Sequence, residues 1–184
     1  MIILGIAGSL RAGSYNRGLL EAARELAPEG MELRVWDGLR DLPHYDGDLD
    51  HDDRRPGAVT ELKRAIAGAD GLLIATPEYN YSIPGVLKNA IDWASRPGYR
   101  SELVGKPVAI MGASPGAVGT ARAQIHLREV MYSTLAQVMP HPGVLVSGAA
   151  AKFTGGRLTD EPTRAFLVDF LGGFAAYVAR QRAS

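Results

Sequence analysis

Residues 2–16 read IILGIAGSLRAGSYN, an apolar run that ends at Gly8 and leads into a polar turn. Unbroken apolar runs of this length are typical of strands that are buried on both faces of a parallel sheet. The next segment, 16–26, places its apolar side chains on one helical face: Leu19, Leu20, Ala23 and Leu26. A strand, a polar turn and an amphipathic helix in this order predict the first half of a βαβ unit.

The rest of the chain continues this alternation. Further strands are predicted at 31–36, 71–75, 107–111 and 138–146, and further helices at 59–67, 84–93, 117–135 and 163–178. Residues 39–56 are polar, and we expect them to form a loop. The last helix carries phenylalanines at positions 166, 170 and 174, a spacing that favours core packing over a partner-binding face. Five strands alternating with five helices predict an α/β fold whose parallel sheet is covered on both faces.

The composition excludes several classes of function. The 184 residues include no cysteine, which excludes disulfides, thiolate nucleophiles and cysteine-bound metal clusters, so redox activity would depend on a bound cofactor. Twenty basic and twenty acidic residues cancel, and this balance gives no indication of nucleic-acid or membrane partners. The length predicts a single domain over 1–184. Because no signal peptide or membrane span is recognised, we expect a cytoplasmic protein.

The turn GSLRAGSYN, residues 8–16, has the composition of a phosphate-binding loop. Its hydroxyl groups, the guanidinium of Arg11 and the free N–H groups of the following helix all suit an anion. The segment matches neither GxGxxG nor GxxxxGK[ST], which leaves a monophosphate as the simplest ligand. Helix capping is the second role open to Ser14 and Asn16. Asp37 follows the second strand, where dinucleotide-binding folds place the acidic residue that binds ribose. Because the glycine motif of those folds is missing, we interpret Asp37 as a surface residue.

Two later turns are predicted at the same edge of the sheet. Residues 76–85 read TPEYNYSIPG, a stiff segment whose tyrosines and asparagine suit a planar heterocycle. Residues 112–119 read GASPGAVG and would approach the same ligand from the other side. This turn also contains the GxSxG pattern of serine hydrolases, with Glu129 and His141 as candidate partners. Pro115 follows the serine and has no N–H to donate to an oxyanion, which argues against a hydrolase.

Histidine and aspartate are concentrated in residues 44–53, which read HYDGDLDHDD. The segment lacks the spacing of a defined metal site, so a solvated loop is favoured and no metal is expected. His126 and Arg128 lie on the fourth predicted helix. A contact with substrate, a contact with a neighbouring subunit and a surface position all remain open for this pair.

Two segments together resemble a known family. GSLRAGSYN at 8–16 and TPEYNYSIPGVLKNAIDW at 76–93 are similar to the NADPH-dependent FMN reductases, which include bacterial quinone and chromate reductases. The resemblance extends over nearly the whole chain. It implies a flavodoxin-like three-layer sandwich with a five-stranded parallel sheet of order 2-1-3-4-5.

The resemblance also implies which residues bind FMN. These are Ser9, Arg11, Ser14, Tyr15 and Asn16 in the first loop, Pro77, Glu78, Tyr79 and Asn80 in the second, and Ser114 and Gly116 in the third. The first loop would bind the phosphate, and the second would lie against the isoalloxazine ring and the ribityl chain. Because the flavin carries the chemistry, no side chain is predicted as an essential acid or base.

The implied activity is transfer of hydride from NADH or NADPH, through FMN, to quinones, free flavin or other small oxidants such as chromate. The alternative is a flavodoxin-like electron carrier that holds FMN and does not turn over nicotinamide. The family implies a homodimer or homotetramer. Preference for NADPH would need a cation near its 2′-phosphate, and the candidates are Arg96, Arg100, Lys106, Arg122 and Arg128.

Overall fold

The protein is built on a central parallel sheet, seen in a computed structural model that describes residues 1–183. Its strands are β1 (Ile2–Ala7), β2 (Glu32–Trp36), β3 (Gly71–Ala75), β4 (Pro107–Ala113), β5 (Gln137–Val138) and β6 (Val144–Val146). The order across the sheet is β2-β1-β3-β4-β5, and β6 also pairs with β4. Every one of these pairs is parallel. The predicted fold class and strand order are therefore confirmed.

Helices cover both faces of the sheet. Within residues 1–183 they are α1 (Tyr15–Glu25), α2 (Gly57–Ala67), α3 (Gly85–Ala94), α4 (Ala121–Ser133) and α5 (Glu161–Ala183). One core, which contains Leu19 and Phe174, lies between the sheet and the α1/α5 layer. A second core, which contains Leu62 and Trp93, lies between the sheet and the layer of α2, α3 and α4. With both faces covered, β3 is buried at every position, as its continuous apolar sequence predicts.

The fifth strand position differs from the prediction of one strand at 138–146. It is divided into β5 and β6, because Pro140 and Pro142 lack the N–H that a sheet ladder needs. Gly143 adopts a φ of 90°, and a Cβ there would lie 2.2 Å from Oε1 of Gln124. Both segments still pair with the same edge of β4, so the sheet keeps five strand positions.

Helix α4 is shorter than the predicted span of 117–135. Gly119 before it and Leu135 after it both adopt left-handed conformations, with φ values of 61° and 63°. Such residues interrupt a right-handed helix at both ends. The residues lost from its start belong instead to the loop after β4, which lengthens that loop at the edge where the predicted site lies.

The C-terminal region contains a hairpin that the sequence pattern did not predict, formed by β7 (Phe153–Thr154) and β8 (Arg157–Leu158). It packs on α1 so closely that a Cβ at Gly18 would lie 2.2 Å from the carbonyl oxygen of Gly156. The following α5 is longer than the predicted 163–178. Phe170 and Phe174 are buried in the core, whereas Phe166 is 47% exposed, so core packing describes two of the three aromatic rings.

Candidate functional site

Three loops meet at the carboxyl edge of the sheet, because β1, β3 and β4 are neighbours there. They line one narrow cleft of about 60 Å³. Most residues of the predicted cofactor site face it: Ser9, Arg11, Ser14, Tyr15, Asn16, Pro77, Glu78, Tyr79 and Ser114. Ala113 and Pro115 complete the lining, whereas Asn80 and Gly116 lie outside it. The structure thus brings together side chains that are about 100 positions apart in sequence.

The first loop ends at a capped helix N-terminus. Ser14 is the N-cap of α1, and its Oγ accepts a hydrogen bond of 3.3 Å from the N–H of Arg17. Because α1 begins at Tyr15, the N–H groups of its first turn have no preceding helical carbonyl to bind. That turn reads YNRG and carries no acidic side chain. The first loop therefore offers N–H donors and the positive end of a helix dipole to an anion.

Asn16 connects the first loop to the third. Its amide donates a hydrogen bond of 2.9 Å to the carbonyl of Ala113 and accepts one of 2.9 Å from the N–H of Ala113. The residue is buried, so both bonds lie away from water. The side chain of Asn16 thus holds the end of β4 against α1, and its backbone N–H is the group left to face a ligand.

The second loop contains a tight turn of two left-handed residues. Asn80 and Tyr81 have φ values of 51° and 65°, and Tyr79 and Ser82 exchange two backbone hydrogen bonds of 3.0 Å across them. Left-handed conformations strain a non-glycine residue, so surrounding contacts must hold the turn. Arg122 supplies one, with its guanidinium carbon 4.2 Å from the centre of the Tyr81 ring.

Glu78 fixes the same loop to α4. One carboxylate oxygen accepts hydrogen bonds of 3.0 and 3.2 Å from the N–H groups of Arg122 and Ala123, and the other accepts a hydrogen bond of 3.2 Å from the Arg122 guanidinium. A carboxylate is favoured at a helix N-terminus. The acidic side chain of Glu78 is therefore engaged as a cap, and its backbone is the part free to contact a cofactor.

His126 strengthens this attachment, because its Nδ1 lies 3.1 Å from Oγ of Ser82. The structure thus places His126 beside the second loop, a position that the sequence left open. Its contact with the loop comes from an exposed side of α4. Sequence spacing gives no sign of this contact, because His126 and Ser82 are 44 residues apart.

The third loop is fastened to the residues that follow β6. The N–H of Ser114 donates to the carbonyl of Val146 at 2.9 Å, and the N–H of Ala149 donates to the carbonyl of Ser114 at 3.0 Å. The Ser114 hydroxyl accepts a hydrogen bond of 3.1 Å from the N–H of Gly116. In the part of the chain that the structure describes, no histidine contacts Ser114, and His141 instead accepts from the N–H of Gly143. The geometry gives the hydrolase alternative no catalytic pair.

The candidate cations for a 2′-phosphate have different environments. Arg128 donates to the carbonyls of Met139 and His141, and burial lowers the pKa of its guanidinium. Lys106 donates to the carbonyl of Ala69 at 2.6 Å, and burial lowers its pKa too. Both are structural. Arg96 stacks over Tyr45 at 5.2 Å, Arg100 is exposed, and only Arg122 lies against the loops of the cleft.

The polar segment 44–53 is partly organised by ion pairs. Arg55 binds Asp50 at 3.1 Å and Asp52 at 2.9 Å, while Asp46 accepts from the N–H of Asp48 at 2.9 Å. Among residues 1–183, no three histidine or acidic side chains are grouped closely enough to hold a metal ion. None of the helices in that range is long and apolar enough to cross a membrane.

Comparisons with known proteins agree on one family. Residues 1–151 match the family model described as NADPH-dependent FMN reductase. The chain is 45% identical over 181 residues to an NAD(P)H-dependent FMN reductase of Pseudomonas aeruginosa, covering 98% of this chain and 96% of the relative. It is 44% identical over 178 residues to a 2-hydroxy-1,4-benzoquinone reductase of a Burkholderia species, covering 96% of each.

A solved structure is similar over the same extent. It is a flavoenzyme NAD(P)H:(acceptor) oxidoreductase of Paracoccus denitrificans, with a TM-score of 0.88 and 37% sequence identity. The alignment covers 98% of both chains. These similar proteins are reductases and oxidoreductases by name, which favours an enzyme over the electron carrier and the hydrolase.

Proposed function

Because this chain belongs to the NADPH-dependent FMN reductase family, we propose that its carboxyl-edge cleft binds FMN. The protein is an NAD(P)H-dependent FMN oxidoreductase. The phosphate lies at the first loop, and the isoalloxazine ring lies between the second and third loops. One observation carries this assignment: all three loops converge on one cleft that has the N-terminus of α1 in its wall.

The groups of the first loop fit a phosphate. Arg11 offers an exposed guanidinium, Ser9 and Ser14 offer hydroxyl groups, and the first turn of α1 offers N–H donors. Ser14 can cap the helix as an acceptor and still donate its own O–H. Charge-assisted hydrogen bonds of this kind are roughly twice as strong as neutral ones. The set supports a dianionic ligand held by several donors.

The groups of the second and third loops fit a ring. FMN, when bound, supplies the redox chemistry by accepting a hydride from NADH or NADPH and passing electrons to an acceptor. The protein positions that group: Pro77 and Tyr79 supply apolar and aromatic surface, Glu78 offers backbone groups, and Ser114 offers the O–H of its side chain. Asn80 contributes through the turn that it forms with Tyr81, and Gly116 through the loop that Ser114 orders. No side chain acts as an essential acid or base.

A quinone is the acceptor that we propose. One similar protein reduces a hydroxybenzoquinone by name. The exposed ring of Tyr79 lines the cleft, and exposed Tyr81 lies in the same loop. Aromatic surfaces of this kind favour planar substrates. Turnover with 1,4-benzoquinone, free FMN and chromate under identical conditions tests the choice. A higher kcat/KM for free FMN or chromate than for the quinone would overturn it.

We further propose that two copies associate through the outer face of α4. Ile125 and Tyr132 lie seven residues apart, on one helical face, and are 59% and 79% exposed. Tyr99 adds a third exposed hydrophobic side chain, near the start of the loop between α3 and β4. A surface of this kind is expected at an interface. Sedimentation of the wild type and of the double variant Ile125→Asp/Tyr132→Asp tests the proposal. It requires the variant to sediment as an assembly of smaller mass than the wild type.

The proposed FMN-binding domain includes the whole chain, 1–184. Leu167, Phe170 and Phe174 of α5 belong to the same core as Ile3 and Leu19. Removal of residues beyond the family match would expose that core. We place the enzyme in the cytoplasm, which cell fractionation with an antibody would check.

The visible spectrum of purified protein mixed with FMN tests the main proposal. Free flavin is removed by gel filtration, and NADH or NADPH is then added without oxygen. We expect retained flavin absorbance that bleaches with at least one nucleotide and returns when 1,4-benzoquinone is added. Flavin retained by a protein whose cleft is blocked, for example by Ser9→Trp in its lining, would show that FMN binds elsewhere. Failure of the wild type to retain FMN would overturn the assignment of the cleft.

A further inference from the structure

A second cavity lies on the other side of the first loop. Its volume is about 420 Å³, within the roughly 300–1,000 Å³ that is usual for small-molecule sites. Ser9 and Arg11 line both this cavity and the flavin cleft. A chemical group bound next to the FMN phosphate would therefore enter it. Any role of this cavity beside FMN rests on the proposed function, which places that phosphate at the first loop.

Trp36 gives the cavity an aromatic wall. It is the last residue of β2, and its side chain is half-buried. Gly38 allows the indole to lie directly against the backbone, since a Cβ there would be 2.4 Å from Cζ2 of Trp36. An indole held in place and still partly exposed suits a planar base that stacks on it.

Asp37 provides a fixed carboxylate beside that ring. Its two oxygens accept hydrogen bonds from the guanidinium of Arg17, one of them at 2.9 Å. Arg17 is itself oriented by Glu21, which accepts from its Nε at 3.0 Å. The remaining lone pairs of the carboxylate can accept hydrogen bonds from hydroxyl groups. In dinucleotide-binding folds, an acid after the second strand binds the ribose hydroxyls.

Arg40 provides a cation at the mouth of the cavity. One N–H of its guanidinium donates to the carbonyl of Leu10 at 2.9 Å, which directs the group toward the first loop. A guanidinium has five N–H donors, so most of them remain for another ligand. In the described range, residues 1–183, no ion pair neutralises Arg40. The group therefore suits a phosphate.

We propose that this cavity is a subsite for an adenosine 5′-phosphate group. Trp36 stacks on the adenine, Asp37 accepts from the ribose hydroxyls and Arg40 binds the phosphate. Such a group occurs in the AMP half of FAD and in the adenosine half of the nicotinamide coenzyme. In the second case, the lone pairs of Asp37 that Arg17 leaves free accept from a 2′-hydroxyl, which NADH carries and NADPH does not.

Calorimetric titration of the FMN-loaded protein with AMP tests the subsite, with tryptophan fluorescence as a second readout. We expect saturable binding of AMP that Arg40→Ala weakens about tenfold, the effect of losing one charge-assisted bond. Arg34→Ala is the matched control, because Arg34 is an exposed arginine of β2 outside the cavity, paired with Glu32 at 2.7 Å. Trp36→Phe, which keeps an aromatic ring, should retain more AMP affinity than Trp36→Ala. Flavin absorbance and thermal unfolding are recorded for every variant.

Two further arms identify the source of the adenosine group. Tighter binding of FAD than of FMN, lost in Arg40→Ala, assigns the subsite to the AMP half of FAD. Equal binding of the two flavins, together with competition of AMP against NADH in turnover, assigns it to the coenzyme. Absence of AMP binding by the wild type, or equal AMP affinity in Arg40→Ala, overturns the subsite but leaves FMN binding intact. Loss of FMN binding itself would overturn the proposed function instead.

Discussion

The two edges of the sheet use their polar groups in opposite ways. At the amino edge, Asp70 accepts from the N–H of Ile2 at 2.7 Å and binds Arg182 at 3.2 Å. There the terminal amino group of Met1 donates to Gly30 at 2.6 Å, and Lys106 donates to Ala69 at 2.6 Å. At the carboxyl edge, the first turn of α1 and the guanidinium of Arg11 face a cleft. One edge uses its polar groups internally for stability, and the other leaves them available to a ligand.

Asn16 both stabilises the fold and lines the cleft. Its replacement should therefore have the largest effect on stability and ligand affinity. Asn16→Ala leaves the buried N–H and carbonyl of Ala113 without partners, and an unsatisfied buried group costs about 1–3 kcal/mol. We expect the free energy of unfolding to fall by roughly 2–4 kcal/mol and FMN affinity to fall with it. Urea unfolding and flavin fluorescence titration measure the two quantities. Arg24→Ala, on the exposed side of the same helix, is the control; a variant as stable as that control would contradict the prediction.

Arg11→Ala should lower FMN affinity without lowering stability. Loss of a charge-assisted bond to phosphate costs about 1.5–3 kcal/mol, so FMN affinity should fall about 10–100-fold with no change in unfolding. Riboflavin, which has no phosphate, provides the control ligand and should bind wild type and variant equally. An equal loss of affinity for both flavins would show that Arg11 acts on the ring instead.

Asp70→Ala tests the opposite edge. The variant loses the bond to Ile2 and the pairing with Arg182, and we expect about 1–2 kcal/mol less stability. FMN affinity should stay the same, because the residue lies at the far end of the strands. Asp53→Ala is the control for stability, because Asp53 is exposed and its ion pair with Arg54 is long, at 3.7 Å. A change in FMN affinity on replacing Asp70 would contradict the division between the edges.

Asp160→Ala should have the smallest effect on stability, and that effect should depend on pH. Hydrogen bonds from the hydroxyl and N–H of Thr163 lower the pKa of its carboxyl. A folded-state pKa below the unfolded value of about 3.9 stabilises the fold above that value, and the stabilisation is lost as pH falls through the lower, folded-state pKa. The difference in stability between wild type and Asp160→Ala should therefore shrink from pH 6 to pH 2. Denaturant unfolding at several pH values measures it, and a constant difference would exclude the ionised carboxyl as its source.

Local sequence patterns predict the parts of this fold that depend on neighbouring residues. The apolar runs of β1 and β3 and the capping role of Ser14 all belong to short segments. The division of the fifth strand follows from Pro140 and Pro142, which outweigh the apolar residues that predict one strand over 138–146.

The features that sequence reasoning missed depend on distant contacts. The first turn of α4 is capped by Glu78, which is 44 residues away. The side chain of Asn16 is directed to Ala113 and not to a ligand, and no periodicity reveals that pairing. The cavity beside Trp36 depends on how Gly38 and Arg40 fold back on the first loop. Composition and spacing locate the loops of the site, and tertiary contacts decide which atoms remain free.

The bond pair between Asn16 and Ala113 also bears on how the chain matures on the ribosome. Its two residues are 97 positions apart, and ribosomes add about 5–20 residues per second. The first loop therefore leaves the ribosome roughly 5–20 s before its partner strand is synthesised. Until then the nascent chain has the complete first loop but lacks the strand that fixes the shape of that loop. The proposed flavin site is accordingly complete only late in biosynthesis, after β4 has docked beside β3.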